Sequence, residues 1–151
     1  MPDKKKFDEI IDFAVDREKE AVDFYRTLQN MVKFRERIKF LKELEKAEEG
    51  HIKILESIRK GDINQNDVPD VQNLHISEYL VEAPFSEDMG YQDILITAMK
   101  REEASTNLYN DLASKSSDAD EKLLFQKLAS EEAKHKLYFE QLYDKDILSE
   151  D

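Results

Sequence analysis

Six residues in this sequence have types and spacings that could bind metal ions. They are four glutamates and two histidines: Glu18, Glu48, His51, Glu102, Glu132 and His135. Glu48 and His51 are three residues apart, as are Glu132 and His135, so in an α-helix each pair lies on one face. Carboxylates and imidazoles grouped in this way are ligands that divalent cations prefer.

Each of these residues fills a gap in a stripe of apolar residues with helical spacing. Glu18, for example, lies between Ala14 and Ala21 on the stripe of the first predicted helix. An ionised carboxylate in a core costs several kcal/mol unless it is paired or bound to a metal. No lysine or arginine lies on these stripes, whereas two divalent cations would balance four carboxylates. The gaps therefore favour a metal site.

Glu18, Glu48 and His51 each have a residue of the same type 84 positions later (102 minus 18). These counterparts are Glu102, Glu132 and His135. The same shift superposes Tyr25 on Tyr109. The sequence therefore predicts a duplicated helical hairpin whose halves are related by a pseudo-two-fold axis. Each tyrosine follows its glutamate by two helical turns, so it is expected either to pack in the core or to donate a hydrogen bond to a ligand carboxylate.

A purely structural role for these residues is the alternative to a metal site. One Glu-x-x-His motif in a glutamate-rich helix is a weak signal, but two motifs at matching positions on matching stripes favour metal binding. Five neighbouring glutamates lie off the stripes and are expected to be solvated or to support the ligands: Glu20, Glu45, Glu49, Glu103 and Glu131. His75 is expected to be a surface histidine, and Gly50 to allow close approach of another helix.

Four helices are predicted to position these residues, at about 5–32, 34–60, 91–115 and 118–147. The first two are joined almost directly and the last two by Ser116-Ser117-Asp118, which is typical of a helix N-cap, so each pair should be an antiparallel hairpin. Residues 61–90 form a long crossover, in which Ile76 to Val81 are expected to make a short helix. The predicted fold is an all-α four-helix bundle in a single domain, 1–151.

The crossover contains four residues that favour turns and irregular chain: Asn64, Asn66, Pro69 and Pro84. Elsewhere glycine and proline are scarce, because the whole chain has only three of each, and 38% of its residues are charged. Such a composition favours long helices over short strands.

The net charge of −12 argues against a nucleic-acid partner, which would require a basic face. No apolar run is long enough to span a membrane, and the N-terminus has no apolar segment of a secretory signal. The absence of cysteine excludes disulfides, iron–sulfur clusters and thiolate zinc sites. A cytoplasmic protein is therefore expected.

One glutamate from each of two helices, with Glu-x-x-His from each of the other two, resembles the ferritin-like diiron-carboxylate proteins, and within them the rubrerythrin group. The resemblance implies that all six residues are ligands of two iron ions, with Glu48 and Glu132 bridging both. It also implies a homodimer and chemistry with O₂ or hydrogen peroxide, as in a peroxidase or ferroxidase. Manganese suits the same ligands, and non-catalytic storage or transport of either metal is the alternative.

Two features depart from rubrerythrins. The chain has no cysteine for the rubredoxin domain that usually delivers electrons, so a separate, rubredoxin-like electron donor is expected. Ser105 stands where rubrerythrins carry a further carboxylate, one turn after the ligand of the third helix. The six-ligand set is in this respect closer to bacterioferritins.

Overall fold

A computed structural model of the chain describes residues 3–61, 68–81 and 85–148. Within them lie four long α-helices and no strand: α1 (Lys4–Gln29), α2 (Ile38–Lys60), α3 (Tyr91–Lys115) and α4 (Ala119–Tyr143). The third helix has the predicted bounds. The fourth ends earlier than predicted because the chain continues as a π-helical turn, Asp144–Leu148.

The chain divides into two compact units. The first comprises Met1–Asn73 and Lys115–Glu121, and the second Leu74–Ser114 and Lys122–Asp151. The first unit therefore contains the α1–α2 hairpin, and the second contains α3 with most of α4. That the two units form a single domain stays a prediction.

In the first unit, α1 and α2 run antiparallel. Asp12 near the start of α1 accepts from Arg59 at the end of α2, with 2.7 Å between Oδ1 and Nε. Arg26 near the end of α1 donates to Glu45 near the start of α2, at 2.8 Å. The start of α1 is capped by Asp3, whose carboxylate accepts from the Lys5 amide at 3.0 Å, as expected for a helix N-cap.

The corner between α1 and α2 corrects one prediction. The first helix was predicted to continue to about residue 32, but α1 ends at Gln29 and Val32 is 76% exposed. Beyond Gln29 the chain leaves the α-helix, so Val32 does not lie on the buried face of α1. The chain turns instead through a 3₁₀ helix, Val32–Arg37, which is anchored by the fully buried Phe34.

In the second unit, α3 and α4 are also antiparallel. At one end Gln92 of α3 donates from Nε2 to the hydroxyl of Tyr143 in α4, at 3.0 Å. Nearer the middle, Glu103 of α3 lies 3.9 Å from the Lys136 ammonium of α4. Asp118, which precedes α4 and belongs to the first unit, accepts from the Asp120 amide at 3.0 Å, in agreement with the predicted N-cap cluster.

The described part of the crossover contains the predicted short helix as a 3₁₀ turn, Ile76–Tyr79. Tyr79 is buried and donates a 2.5 Å hydrogen bond to Asp111 of α3. His75 is exposed, as predicted. Asn64, Asn66 and Pro84, which were predicted to favour irregular chain, lie outside the described residues.

No other helix packs closely against Gly50 in the described structure, contrary to the prediction. A Cβ built on Gly50 would meet no heavy atom within 4 Å among the residues described. None of the helices in the described ranges is long and apolar enough to cross a membrane.

Candidate metal centre

The first hairpin brings together three of the predicted ligands, Glu18 of α1 with Glu48 and His51 of α2. All three are buried, with exposed fractions of 1%, 1% and 2%. His51 Nδ1 lies 3.2 Å from Glu18 Oε2 and 3.3 Å from Glu48 Oε1. One ring nitrogen therefore faces carboxylates from two helices at once. We call these three residues the first half-site.

The second hairpin repeats the arrangement with Glu102 of α3 and Glu132 and His135 of α4. Their exposed fractions are 2%, 1% and 9%. His135 Nδ1 lies 3.5 Å from Glu102 Oε2 and 3.7 Å from Glu132 Oε1. We call these residues the second half-site. The predicted duplication thus corresponds to the same contacts in each unit.

The local sequence explains why polar groups lie inside each hairpin. Glu18 is on the face of α1 that also carries Ala14, Tyr25 and Leu28, and those three residues are at most 1% exposed. The stripe that buries the apolar side chains therefore buries Glu18 as well. Each half-site brings two carboxylates to one imidazole, and a divalent cation would balance the surplus negative charge of this buried set.

The donor atoms fit a divalent cation. Within each half-site every residue offers one ligand atom, and these atoms lie within 4.8 Å of one another. Ligand atoms bound to one ion at about 2.1 Å are separated by roughly 3.0–3.4 Å in octahedral or tetrahedral geometry. The nitrogen-to-oxygen distances of 3.2 and 3.3 Å in the first half-site fall in that range. Carboxylate-rich sites with imidazole suit iron or manganese.

The off-stripe glutamates lie outside both half-sites, and four of them form ion pairs. Glu20 pairs with Arg17, Glu45 and Glu49 pair with Arg26, and Glu103 lies near Lys136.

The pKa of Glu45 is shifted by its surroundings. Burial raises the pKa of Glu45, but hydrogen bonds from Arg26 and Gln29 outweigh it, so that pKa lies below its ordinary value. Paired carboxylates of this kind stabilise the outside of the hairpin and are not available as metal ligands.

Tyr25 and Tyr109 are each 1% exposed, which agrees with the predicted core packing. A hydrogen bond from either tyrosine to a ligand carboxylate stays a prediction.

The structure also shows polar groups that sequence reasoning missed near the second half-site. Thr97 is buried, and the Thr106 hydroxyl donates to the Glu102 carbonyl at 2.8 Å. Under the 84-residue shift these threonines correspond to Phe13 and Val22, so a comparison of the two copies could have revealed the difference.

The sequence model of the rubrerythrin family matches residues 9–143, which include all six predicted ligands. The chain belongs to the rubrerythrin family. Among curated proteins, no sequence matches the chain significantly. Together with the four α-helices, membership of the rubrerythrin family confirms the predicted all-α, ferritin-like class of fold. For a rubrerythrin-family protein, the buried glutamate and histidine groups indicate metal binding.

Proposed function

We propose that this protein is a diiron oxidoreductase that reacts with O₂ or hydrogen peroxide. The observation that carries the proposal is the buried half-site of two carboxylates and one imidazole, repeated in both hairpins. In this proposal each half-site would hold one iron ion, bound by Glu18, Glu48 and His51 in the first and by Glu102, Glu132 and His135 in the second. A bound pair of ferrous ions supplies the electrons that reduce the oxidant.

The protein's own residues bind the ions, balance their charge and limit the access of water. Carboxylates bind a metal through one or two oxygens, so the four glutamates can accommodate a change in metal charge. Tyr25 and Tyr109 lie buried on the same stripes, where a hydrogen bond from either would fix the orientation of a ligand carboxylate. Because these 151 residues include no cysteine that could bind a rubredoxin-type iron, the proposal assigns electron delivery to a separate donor protein or a small reductant.

The direct test is anaerobic loading with Fe(II), followed by rapid mixing with hydrogen peroxide or O₂. We expect ferric absorbance to develop faster than in protein-free buffer, and metal analysis to give two ions per chain. The Glu18→Gln variant is a matched control, because it changes one ligand into a neutral isostere. No acceleration over buffer in the wild-type protein would refute the proposed activity.

Non-catalytic storage or transport of iron or manganese is the second candidate. Ser105, which stands where rubrerythrins carry a further carboxylate, favours it because the ligand set of this chain lacks that group. Repeated additions of Fe(II) with particle sizing distinguish the two. A large particle that accumulates ferric mineral supports storage, whereas a small protein that turns over peroxide without accumulating iron supports the oxidoreductase.

A further inference from the structure

We propose that the two metal positions exchange at different rates, and that the ion at the second half-site is the one that leaves and enters first. The inference rests on the proposed function, because it requires that both half-sites hold an ion. It assigns distinct roles to two sets of residues that are identical in type. Exposure, ligand spacing and the residues around the ligands all favour the second half-site as the exchanging position.

The two histidines differ in exposure. The side chain of His51 is 2% exposed and that of His135 is 11% exposed, although both lie three residues after a buried glutamate. Release of a metal ion requires water to replace its protein ligands one at a time. Water reaches His135 more readily, so the ligand replaced first lies in the second half-site.

The spacing of the ligand atoms differs in the same direction. The histidine-to-carboxylate distances are 3.2 and 3.3 Å in the first half-site and 3.5 and 3.7 Å in the second. Only the first pair lies within the separation of roughly 3.0–3.4 Å expected for ligands of one ion. The second half-site is wider by 0.3–0.4 Å (3.5 against 3.2 Å and 3.7 against 3.3 Å), and we infer that it is the less preorganised of the two and binds its ion more weakly.

The residues that flank the α1 and α3 ligands differ in polarity. Five residues before the ligand, Phe13 in the first hairpin corresponds to Thr97 in the second. Three residues after it, about one turn, Ala21 corresponds to Ser105. Thr97 is 2% exposed, so its hydroxyl is a buried polar group on the helix that carries Glu102. Hydroxyl groups at these positions can hydrogen-bond water where the first hairpin presents only carbon.

The backbone beneath Glu102 also differs from that beneath Glu18. The Thr106 hydroxyl donates to the Glu102 carbonyl at 2.8 Å, whereas the corresponding Val22 has no hydroxyl. Such bonds from a threonine to the carbonyl four residues earlier compete with the helical hydrogen bond and tend to bend helices. The turn that carries Glu102 is therefore easier to deform than the turn that carries Glu18.

The test is metal release from protein loaded anaerobically with two equivalents of Co(II), challenged with excess EDTA and followed by cobalt absorbance. We expect two phases of equal amplitude whose rates differ by roughly tenfold or more, the size of effect that changes around the direct ligands usually produce. His135→Ala should retain only the slow phase, and His51→Ala only the fast one. A single phase, or the reverse assignment in the two variants, would overturn the inference.

A matched pair of substitutions changes no ligand and so covers the case in which a histidine variant fails to fold. Ser105→Ala should slow the fast phase and leave the slow phase unchanged, while Ala21→Ser should accelerate the slow phase. Unaltered rates in both variants count against the inference. Protein that binds two cobalt ions and releases them together refutes only the inference, whereas protein that binds none refutes the proposed function as well.

Discussion

Guanidinium–carboxylate ion pairs join α1 to α2. Among them are Arg26 with Glu45 and Arg59 with Asp12. In the unit that contains α3 and most of α4, the Glu103–Lys136 ion pair is longer, at 3.9 Å, and two tyrosine hydroxyls donate to carboxylates, Tyr79 to Asp111 and Tyr91 to Asp146, both at 2.5 Å. The half-sites of the two hairpins nevertheless contain the same three residue types at the same spacing.

The comparison shows that cation binding constrains the residues of the half-sites and leaves the contacts outside them free to differ. Binding a cation requires particular donor atoms at fixed separations, so residue type and helical register are both determined inside each hairpin. An outer contact has only to join two helices in water, where many pairings contribute similar small energies.

Replacing one ligand in each half-site should have the largest effect. We expect Glu18→Gln and Glu102→Gln each to reduce the bound metal from two ions to one. Each should also remove most of one ion's stabilisation, about 2.7 kcal/mol at a free metal concentration a hundred times Kd. Metal analysis and thermal unfolding with and without chelator measure both effects.

The melting temperatures of the same two variants without metal are the control. There each substitution should raise the melting temperature, because a neutral amide replaces one of two buried carboxylates that share a single imidazole. Two ions still bound by either variant would show that the substituted glutamate is not a ligand.

Tyr79→Phe should destabilise the second unit by about 1.5–3 kcal/mol, the usual range for a hydrogen bond to a charged partner. Tyr91→Phe removes a hydrogen bond of equal length between exposed side chains, and we expect a loss below about 1 kcal/mol. Denaturant unfolding of both variants gives the comparison. Equal losses would show that burial does not distinguish the two bonds.

The Tyr79 contribution should also depend on pH. Burial raises the pKa of Tyr79, as do the hydrogen bond to Asp111 and the negative charge of that carboxylate. Because the folded pKa lies above the unfolded value of about 10, the stabilisation is complete below pH 10 and declines above it. The stability difference between wild type and Tyr79→Phe should therefore shrink between pH 9 and 11. A constant difference over that interval would contradict the assignment.

Gly50→Ala should stabilise the protein by about 0.5–1 kcal/mol, because alanine favours the helix and nothing in the described structure blocks a Cβ there. Under the 84-residue shift Gly50 corresponds to Lys134, so the second hairpin already has a helix-forming residue at this position. Gly61→Ala is the opposing control. Its Cβ would lie 2.8 Å from the Ser57 carbonyl oxygen, so this variant should lower the melting temperature.

Arg26→Gln should have the smallest effect, since the Arg26 side chain is 57% exposed. The pKa of Glu45 lies below its ordinary value, so its ion pair stabilises the fold above about pH 4.5 and this contribution is lost as the pH falls. The difference in melting temperature between wild type and variant should be present at pH 7 and decrease as the pH is lowered below 4.5. A difference that does not decrease on acidification would exclude the ion pair as its source.

The residues that the sequence predicted well are those that repeat with the helix. The period of 3.6 locates Glu18 and Glu102 on buried stripes, and a spacing of three residues places His51 beside Glu48. These relations are local, so they can be inferred without knowing how the chain folds. Val32 was misplaced because the period does not show where α1 ends.

The Tyr79–Asp111 hydrogen bond could not be predicted from the sequence for a different reason. It joins residues 32 positions apart, one of them in a crossover with no regular spacing. The unequal exposure of His51 and His135 was likewise hidden, because it depends on how side chains pack around two residues of the same type.

The 3₁₀ corner at Val32–Arg37 has a consequence for the speed of folding. Because the corner is short, Glu18 and His51 are in contact although only 33 positions separate them in the sequence. Forming this contact therefore costs the entropy of closing a short loop. The entropy lost on closing a loop rises with its length, so this contact costs less than one between more distant parts of the chain. The first half-site can therefore form soon after its hairpin has been synthesised.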